Sequence, residues 1–370
     1  MRTVLLLSAA FCVYTVFGYP LLLALVARRE RAVNKAFVPR DVSVLLPVHN
    51  GERWIARKLE TLAALDYPHD RMEILVISDG STDATGSIVE QYSGRGNIRL
   101  LKVPHGGKAL ALNAGLREAQ GEILFFTDVR QELGRDSLRN LVACFADPAV
   151  GVASGELIIR EGGTTEEANV GLYWRYEKWI RTRLSRLDSV MGATGAIYAM
   201  RRELAVPLPA DTLVDDMYLP LAAFFRGFRV ILDDSAQAFD SPTVLHTEFR
   251  RKVRTLAGVY QVIRFYPALL GPQNRMWIHF VSHKLARLAM PWALLLVAVS
   301  SVSRSDPVRL TALWLQVGFY GLAALDGVAR EGSWFKRITS LARTFVVLMA
   351  ASLCAAAVLF VPPRRLWKKR

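Results

Sequence analysis

Side chains able to do chemistry recur in this chain at regular places. His49, Asn50 and Glu52 follow the apolar run DVSVLLPV; Asp79, Ser81 and Asp83 follow MEILVIS; Asp128 and Arg130 follow EILFFT; Asp215 and Asp216 stand together in TLVDDMYLP. A lone Asp after a strand is ordinarily a turn former or a helix cap, and Asp83 reads as one. Polar clusters at three equivalent strand ends are harder to explain that way and mark a ligand-binding edge. Lys108 follows the pair Gly106-Gly107, so backbone and ammonium can both approach an anion, although GGK lacks the full phosphate-loop spacing. Adjacent carboxylates such as Asp215 and Asp216 repel one another, which favours proton uptake by one of them. Gly192 and Gly195 in GATGAIYAM leave room for a close approach.

These residues need a frame. DVSVLLPV is a short β-branched run bounded by Pro47, hence a buried strand, and a helical stretch follows it through Leu62. MEILVISD, IRLLKVP and EILFFTDV repeat the strand pattern, separated by the helical SIVEQYS and ALALNAGLREAQ. Alternation of this kind predicts an α/β domain over residues 40–245, with a mostly parallel Rossmann-type sheet and right-handed crossovers. Such a sheet binds ligands at the carboxyl ends of its strands, where the carboxylates gather.

Composition sets the surroundings. The chain is 52% hydrophobic and 22% charged, with a formal net charge of +14, which excludes disorder. Its three cysteines, Cys12, Cys144 and Cys354, exclude a disulfide scaffold and have no zinc-ligand spacing. Residues 4–27 carry no charge and are long enough to cross a hydrocarbon core of about 30 Å. A cleaved signal peptide has an apolar run of only about 7–15 residues, so residues 1–30 read as a permanent anchor. The basic RRERAVNK that follows belongs in the cytoplasm. Three more apolar stretches, at 285–302, 308–328 and 338–361, predict a membrane bundle over 278–362, followed by the basic tail 363–370. One span plus three would leave that tail outside, against its charge. A re-entrant segment, an interfacial one, or a tail that defies the bias would each resolve this. Arg and Lys crowd beside the spans, where they meet anionic headgroups, so membrane lipid and not nucleic acid is the expected partner of the basic charge.

The strings VSVLLPVHNGE, EILVISDGSTDAT, GKALALNAGLREAQGEILFFTDV and TGAIYAMRREL resemble the inverting family 2 glycosyltransferases. More narrowly, they resemble the membrane-embedded branch that holds chitin-oligosaccharide, hyaluronan, poly-N-acetylglucosamine and cellulose synthases. The resemblance runs over about residues 40–265. It implies a GT-A-like fold, a UDP-sugar donor, and a polysaccharide or glycolipid acceptor with, for an exporting member, export partner proteins. It implies that Asp79 accepts from the base while Pro47, His49, Asn50 and Glu52 frame the nucleoside. Lys108 would approach the diphosphate, Asp128 would hold Mg²⁺ or Mn²⁺, and Asp216, beside Asp215, would be the catalytic base. Gly192 and Gly195 would admit the acceptor.

Two departures stand out. The family usually shows Asp-x-Asp where this chain reads Asp128-Val129-Arg130, which removes a carboxylate; Arg130 then either touches the diphosphate or faces solvent. The helical stretch EFRRKVRTLAGVYQVIRF, within an interface region 246–275, puts Phe249, Val253, Leu256, Val259 and Ile263 on one side, with Arg250, Arg254, Gln261 and Arg264 on the other. The synthases carry Gln/Arg-x-x-Arg-Trp here. Arg251 and Arg254 match its basic positions and would hold the leaving diphosphate, but Thr255 stands where the Trp belongs. That puts polymerisation in doubt unless Tyr260 or the aromatic stretch YWRYEKW supplies a ring. All these groups are expected to meet in one cavity at the lipid boundary.

Overall fold

A computed structural model describes residues 1–26, 30–93, 97–160, 165–241, 245–303 and 305–363, with side chains of 165–171 left aside. Arg28, Arg29 and most of the basic tail lie outside the described residues. The chain divides into two compact units: Arg29–Arg160 with Leu184–Asp240, and Met1–Arg28 with Glu161–Arg183 and Ser241–Arg370.

The first unit is built on one eight-stranded sheet. Its strands are β1 (Val42–Val48), β2 (Met72–Asp79), β3 (Ile98–Val103), β4 (Ile123–Thr127), β5 (Glu132–Leu133), β6 (Val150–Ile159), β7 (Ile197–Arg201) and β8 (Arg229–Asp240), in the spatial order β3-β2-β1-β4-β7-β6-β8-β5. The ladders β3–β2, β2–β1, β1–β4 and β6–β8 are parallel; β7 runs antiparallel to both β4 and β6, as β5 does to β8. The first four strands are the ones their apolar runs predict. β1, β2 and β4 read as largely continuous hydrophobic stretches because helices cover both faces of such a sheet, whereas β3, at the edge, exposes Arg99 and Lys102. Val44, Leu46, Val76 and Phe125 join Ile55, Leu59 and Leu62 of the helix Glu52–Ala63 in the core. Pro47 lies past Leu45, the last β1 residue paired with β4, so its missing N–H costs no bond in that ladder. Winding outward through β2 and β3 and then back across β1 to β4 creates a switch point between β1 and β4, the place where such sheets bind ligands. The edge strand β5 and its neighbour β8 have no clean periodicity: RVILDDSAQAFD breaks its own pattern at Asp233-Asp234-Ser235.

The second unit is helical. Four of its helices, Arg2–Val26, Trp277–Ser301, Pro307–Leu325 and Trp334–Leu359, are long and apolar enough to cross a membrane. The second begins before the expected residue 285, because the polar side chains that lower its hydropathy are partnered inside the unit. His279 Nδ1 lies 3.2 Å from the Tyr19 hydroxyl. Glu177 is buried against Arg287, with His283 Nε2 at 3.4 Å and Lys284 Nζ at 3.8 Å. Charges near a span are tolerated when paired in this way. The helix Leu245–Phe265 is amphipathic, but its faces differ from the expected ones: Ala257, Gly258, Val259, Gln261 and Val262 are buried, and the helix packs against Trp334–Ala355. Helix packing, which accepts a glutamine and a glycine, sets this face in place of a simple apolar stripe. The YWRYEKW rings are engaged as packing partners of cations: Lys252 lies 4.3 Å from the Tyr173 ring, and Arg251 lies 5.0 Å from that of Trp174.

Candidate active site

The carboxyl ends of β1 and β2 are tied together by their own loops. Asn50, at φ +49, a left-handed conformation that Asn tolerates, accepts the Thr82 N–H at 2.8 Å. Glu52 accepts the Ala84 N–H at 3.0 Å, and Asp83 returns the favour by accepting from Glu52 N at 3.0 Å and Thr85 N at 3.1 Å. Asp83 therefore does cap, as read, and at the starts of two helices at once.

Asp79 differs from the open acceptor expected of it. It is 4% exposed, and its carboxylate accepts the N–H groups of Gly106 at 2.7 Å and Gly107 at 3.0 Å. Gly80 follows it at φ +58, where a side chain would strike the His105 backbone. The His105 ring stacks on His49 at 4.3 Å, and both Nδ1 atoms approach the Asp79 carbonyl, at 2.6 Å from His49 and 3.2 Å from His105. Asp79 thus fixes the loop that starts the helix Lys108–Glu118. With His49 and His105 it also offers ligand atoms within 4.8 Å of one another.

Lys108 heads that helix and reaches across the sheet end. Its Nζ lies 2.9 Å from Asp128, directly after β4, and 3.1 Å from Asp215. Desolvation opposes its charge, but Asp128, Asp215 and Asp216 outweigh that cost and hold its pKa above the ordinary lysine range. Asp215 and Asp216 form the first turn of the helix Asp215–Phe225, where the dipole favours negative charge. The Asp216 carbonyl accepts the Ala193 N–H at 2.6 Å. Gly192, at φ +154, lies beside Met217 and the Asp216 carbonyl, and a methyl group on Gly195 would sit 2.9 Å from Asp216 Oδ2. The glycine turn therefore exists to let this carboxylate lie against bare backbone.

Three residues that the sequence did not flag complete the surroundings. Tyr198 on β7 is fully buried and stacked on Phe126 at 4.4 Å, and its hydroxyl has no hydrogen-bond partner among the described residues. Burial, followed by the charges of Asp215, Asp216 and Asp128, pushes its pKa well above the usual tyrosine range, so it remains a donor. Lys58 is 2% exposed and donates to Thr127 Oγ1 and the Gln131 carbonyl, both at 2.7 Å. Burial lowers its pKa to about 7 against the pull of Asp128 and Glu132. Its spacing from Ile55 and Leu62 was the available signal, since it falls on the buried side of an amphipathic helix. Asp240, ending β8, pairs with Arg130 and accepts from Gln131 Nε2 at 2.9 Å. Neither role foreseen for Arg130, diphosphate contact or simple exposure, describes this pairing.

The structure thus links Asp79, Lys108, Asp128, Asp215, Asp216, Gly192 and Gly195 in one contiguous line. Arg251 and Arg254 belong to the helical unit, where Arg251 pairs with Glu248 at 2.8 Å and Arg254 is exposed. A divalent cation fits the first group: an ammonium lies between two carboxylates, the oxygen donors that Mg²⁺ and Mn²⁺ prefer. The two imidazoles at Asp79 suit softer metals better.

Comparison with known proteins agrees with this chemistry. Residues 43–206 match the description Glycosyl transferase family 2, and residues 131–360 match Glycosyl transferase family group 2. The chain is a family 2 glycosyltransferase. It is 26% identical to a beta-monoglucosyldiacylglycerol synthase of Synechocystis sp. over 89% of this chain and 74% of that one. It is 34% identical to the poly(ribitol-phosphate) beta-N-acetylglucosaminyltransferase TarS of Staphylococcus aureus, over 27% of this chain and 18% of that one. Among solved structures, a mannosyltransferase from Pyrobaculum calidifontis in complex with GDP-Man and Mn²⁺ superposes with a TM-score of 0.74 at 25% identity, covering 99% of this chain and all of the other. The sheet domain of this glycosyltransferase is GT-A-like, and its long apolar helices point to membrane association.

Proposed function

We propose that this glycosyltransferase moves a hexose or N-acetylhexosamine from a UDP-sugar, with inversion, onto a glycolipid or polysaccharide acceptor at the cytoplasmic face of a membrane. The observation that carries the reading is the Asp128–Lys108–Asp215 contact with Asp216 on the next residue: a cation between carboxylates, a proton acceptor beside them and a glycine turn facing it.

Asp216 takes the proton from the acceptor hydroxyl as its oxygen attacks the anomeric carbon. The bond from that carbon to the diphosphate oxygen breaks, and the electron pair leaves on the diphosphate. Bound at Asp128, Mg²⁺ or Mn²⁺ supplies neutralisation of that leaving group. Lys108 adds positive charge to it, a role the family resemblance gives to Arg251 and Arg254 as well. Pro47, His49, Asn50 and Glu52, together with the Asp79 loop, frame the nucleoside. Gly192 and Gly195 admit the acceptor beside Asp216.

Thr255, in place of a stacking Trp, favours addition of a single sugar, as does the similarity along most of the chain to a synthase whose name is that of a glycolipid product. The mannosyltransferase bound to GDP-Man supports a second donor reading, GDP-mannose. Purified protein in lipid nanodiscs, given labelled UDP-sugars and GDP-mannose with and without Mn²⁺, tests both. The expected result is metal-dependent release of one nucleoside diphosphate and one discrete glycolipid product by thin-layer analysis. A ladder of long products would make it a polymerase, and no release from any donor would overturn the transferase reading.

A further inference from the structure

Lys108 is the unexpected member of the site. Its side chain is 39% exposed, yet its ammonium is not left to solvent: it sits 2.9 Å from Asp128 and 3.1 Å from Asp215, joining carboxylates from distant parts of the chain. The acidic partner that the family usually sets two residues after Asp128 is Arg130, and Arg130 is committed to Asp240. Asp215 already shares the Lys108 ammonium with Asp128, so these two carboxylates can share a cation. Independently, Tyr198 on β7 pairs with Phe126 of β4, the strand that Asp128 follows, and its buried hydroxyl has no hydrogen-bond partner among the described residues. A buried donor without an acceptor is rare in a folded chain and is open to a ligand oxygen.

We propose that Lys108 is a built-in placeholder for the divalent cation: without donor, its ammonium bridges Asp128 and Asp215, and the incoming diphosphate draws it away so that these two carboxylates take up the metal together with the nucleotide. The proposal rests on the metal-dependent transferase reading and adds Asp215 as a second metal ligand. A metal arriving alone must expel the ammonium, which then has no counter-charge. A metal arriving with a diphosphate leaves the ammonium a new partner. Metal and nucleotide therefore tighten one another, by the same factor in either order.

The test is Mn²⁺ binding by full-length protein in nanodiscs, followed by the electron paramagnetic resonance of unbound Mn²⁺, with and without GDP or UDP. Wild-type protein is expected to bind Mn²⁺ weakly alone and about tenfold or more tightly with the matching nucleotide, within the range usual for coupled sites. Lys108→Met is expected to bind Mn²⁺ alone about tenfold more tightly than wild type. Lys102→Met, which removes equal charge from a surface pair with Glu90, should leave Mn²⁺ binding unchanged. Adding Asp215→Asn to Lys108→Met should erase the gain. Melting curves verify that each variant is folded. If Lys108→Met binds Mn²⁺ alone no more tightly than wild type while nucleotide still promotes metal binding, the placeholder is wrong and the transferase reading stands. If no form binds Mn²⁺ with either nucleotide, both are wrong.

Discussion

Within the site, the decisive contacts are made by residues that carry no functional group or that hide one. Gly195 is the clearest case. A methyl group there would meet Asp216 Oδ2 at 2.9 Å, closer than packed atoms allow, so Gly195→Ala must push the carboxylate from its place. Turnover of that variant is expected to fall by about 10²-fold, as misplacement by roughly 1 Å does elsewhere, with donor affinity unchanged in a calorimetric titration. Equal turnover would mean that Asp216 is not held there for chemistry. Lys58 makes a second prediction. Its pKa is about 7 in the folded chain against an ordinary 10.5. Between these values the unfolded chain binds the extra proton, so stability must rise with pH across that window; below about 7 the folded chain carries the full cost of a buried ammonium. The melting temperature of wild type relative to Lys58→Met should climb from pH 7 to pH 10, and parallel curves would refute the shift. Asp79 and Asp128 were legible as candidates because strand patterns put them at strand ends, and Asp216 because it stands in a pair of adjacent carboxylates that the family resemblance marks. The Lys108–Asp215 bridge and the buried Tyr198 hydroxyl were not, because no local pattern reports which distant side chains a fold brings into contact.

Among the elements, loops make the site rigid. The turns after β1 and β2 exchange hydrogen bonds through Asn50, Glu52 and Asp83, and Asp79 pins Gly106 and Gly107 at the start of the Lys108 helix. Asp83 caps two helix starts at once, so Asp83→Ala should cost about 1–2 kcal/mol of stability, the upper part of the range for a lost cap, measured by chemical denaturation. A loss below about 0.3 kcal/mol would show that water replaces it. Strands β1, β2 and β4 were readable because burial on both faces makes them largely apolar runs, and β3, at the edge with Arg99 and Lys102 exposed, because its remaining residues are apolar. β8 was not, because Asp233-Asp234-Ser235 interrupts it. The Leu245–Phe265 helix was readable as amphipathic, yet its buried face was misjudged. A period-3.6 apolar stripe assumes a uniform apolar environment, whereas this helix packs on another helix and buries Gly258 and Gln261 there.

For the whole molecule, a GT-A-like unit and a helical unit with four potential membrane spans share one chain. The helix Pro307–Leu325 buries none of its residues, and Trp314 and Leu315 are exposed on it, which suits contact with lipid. Fixed charges near the Trp277–Ser301 span are matched within the helical unit by Glu177, a pairing that a hydropathy profile registers only as lost apolarity. The account comes down to Asp216 serving as the base for sugar transfer, and one paired measurement bears on that directly. Donor affinity and nucleoside diphosphate release are to be determined with Mn²⁺ for wild type and Asp216→Asn in nanodiscs. The account predicts an unchanged Kd with release reduced by about 10²–10⁴-fold, the usual effect of removing a general base; release at the wild-type rate would contradict it.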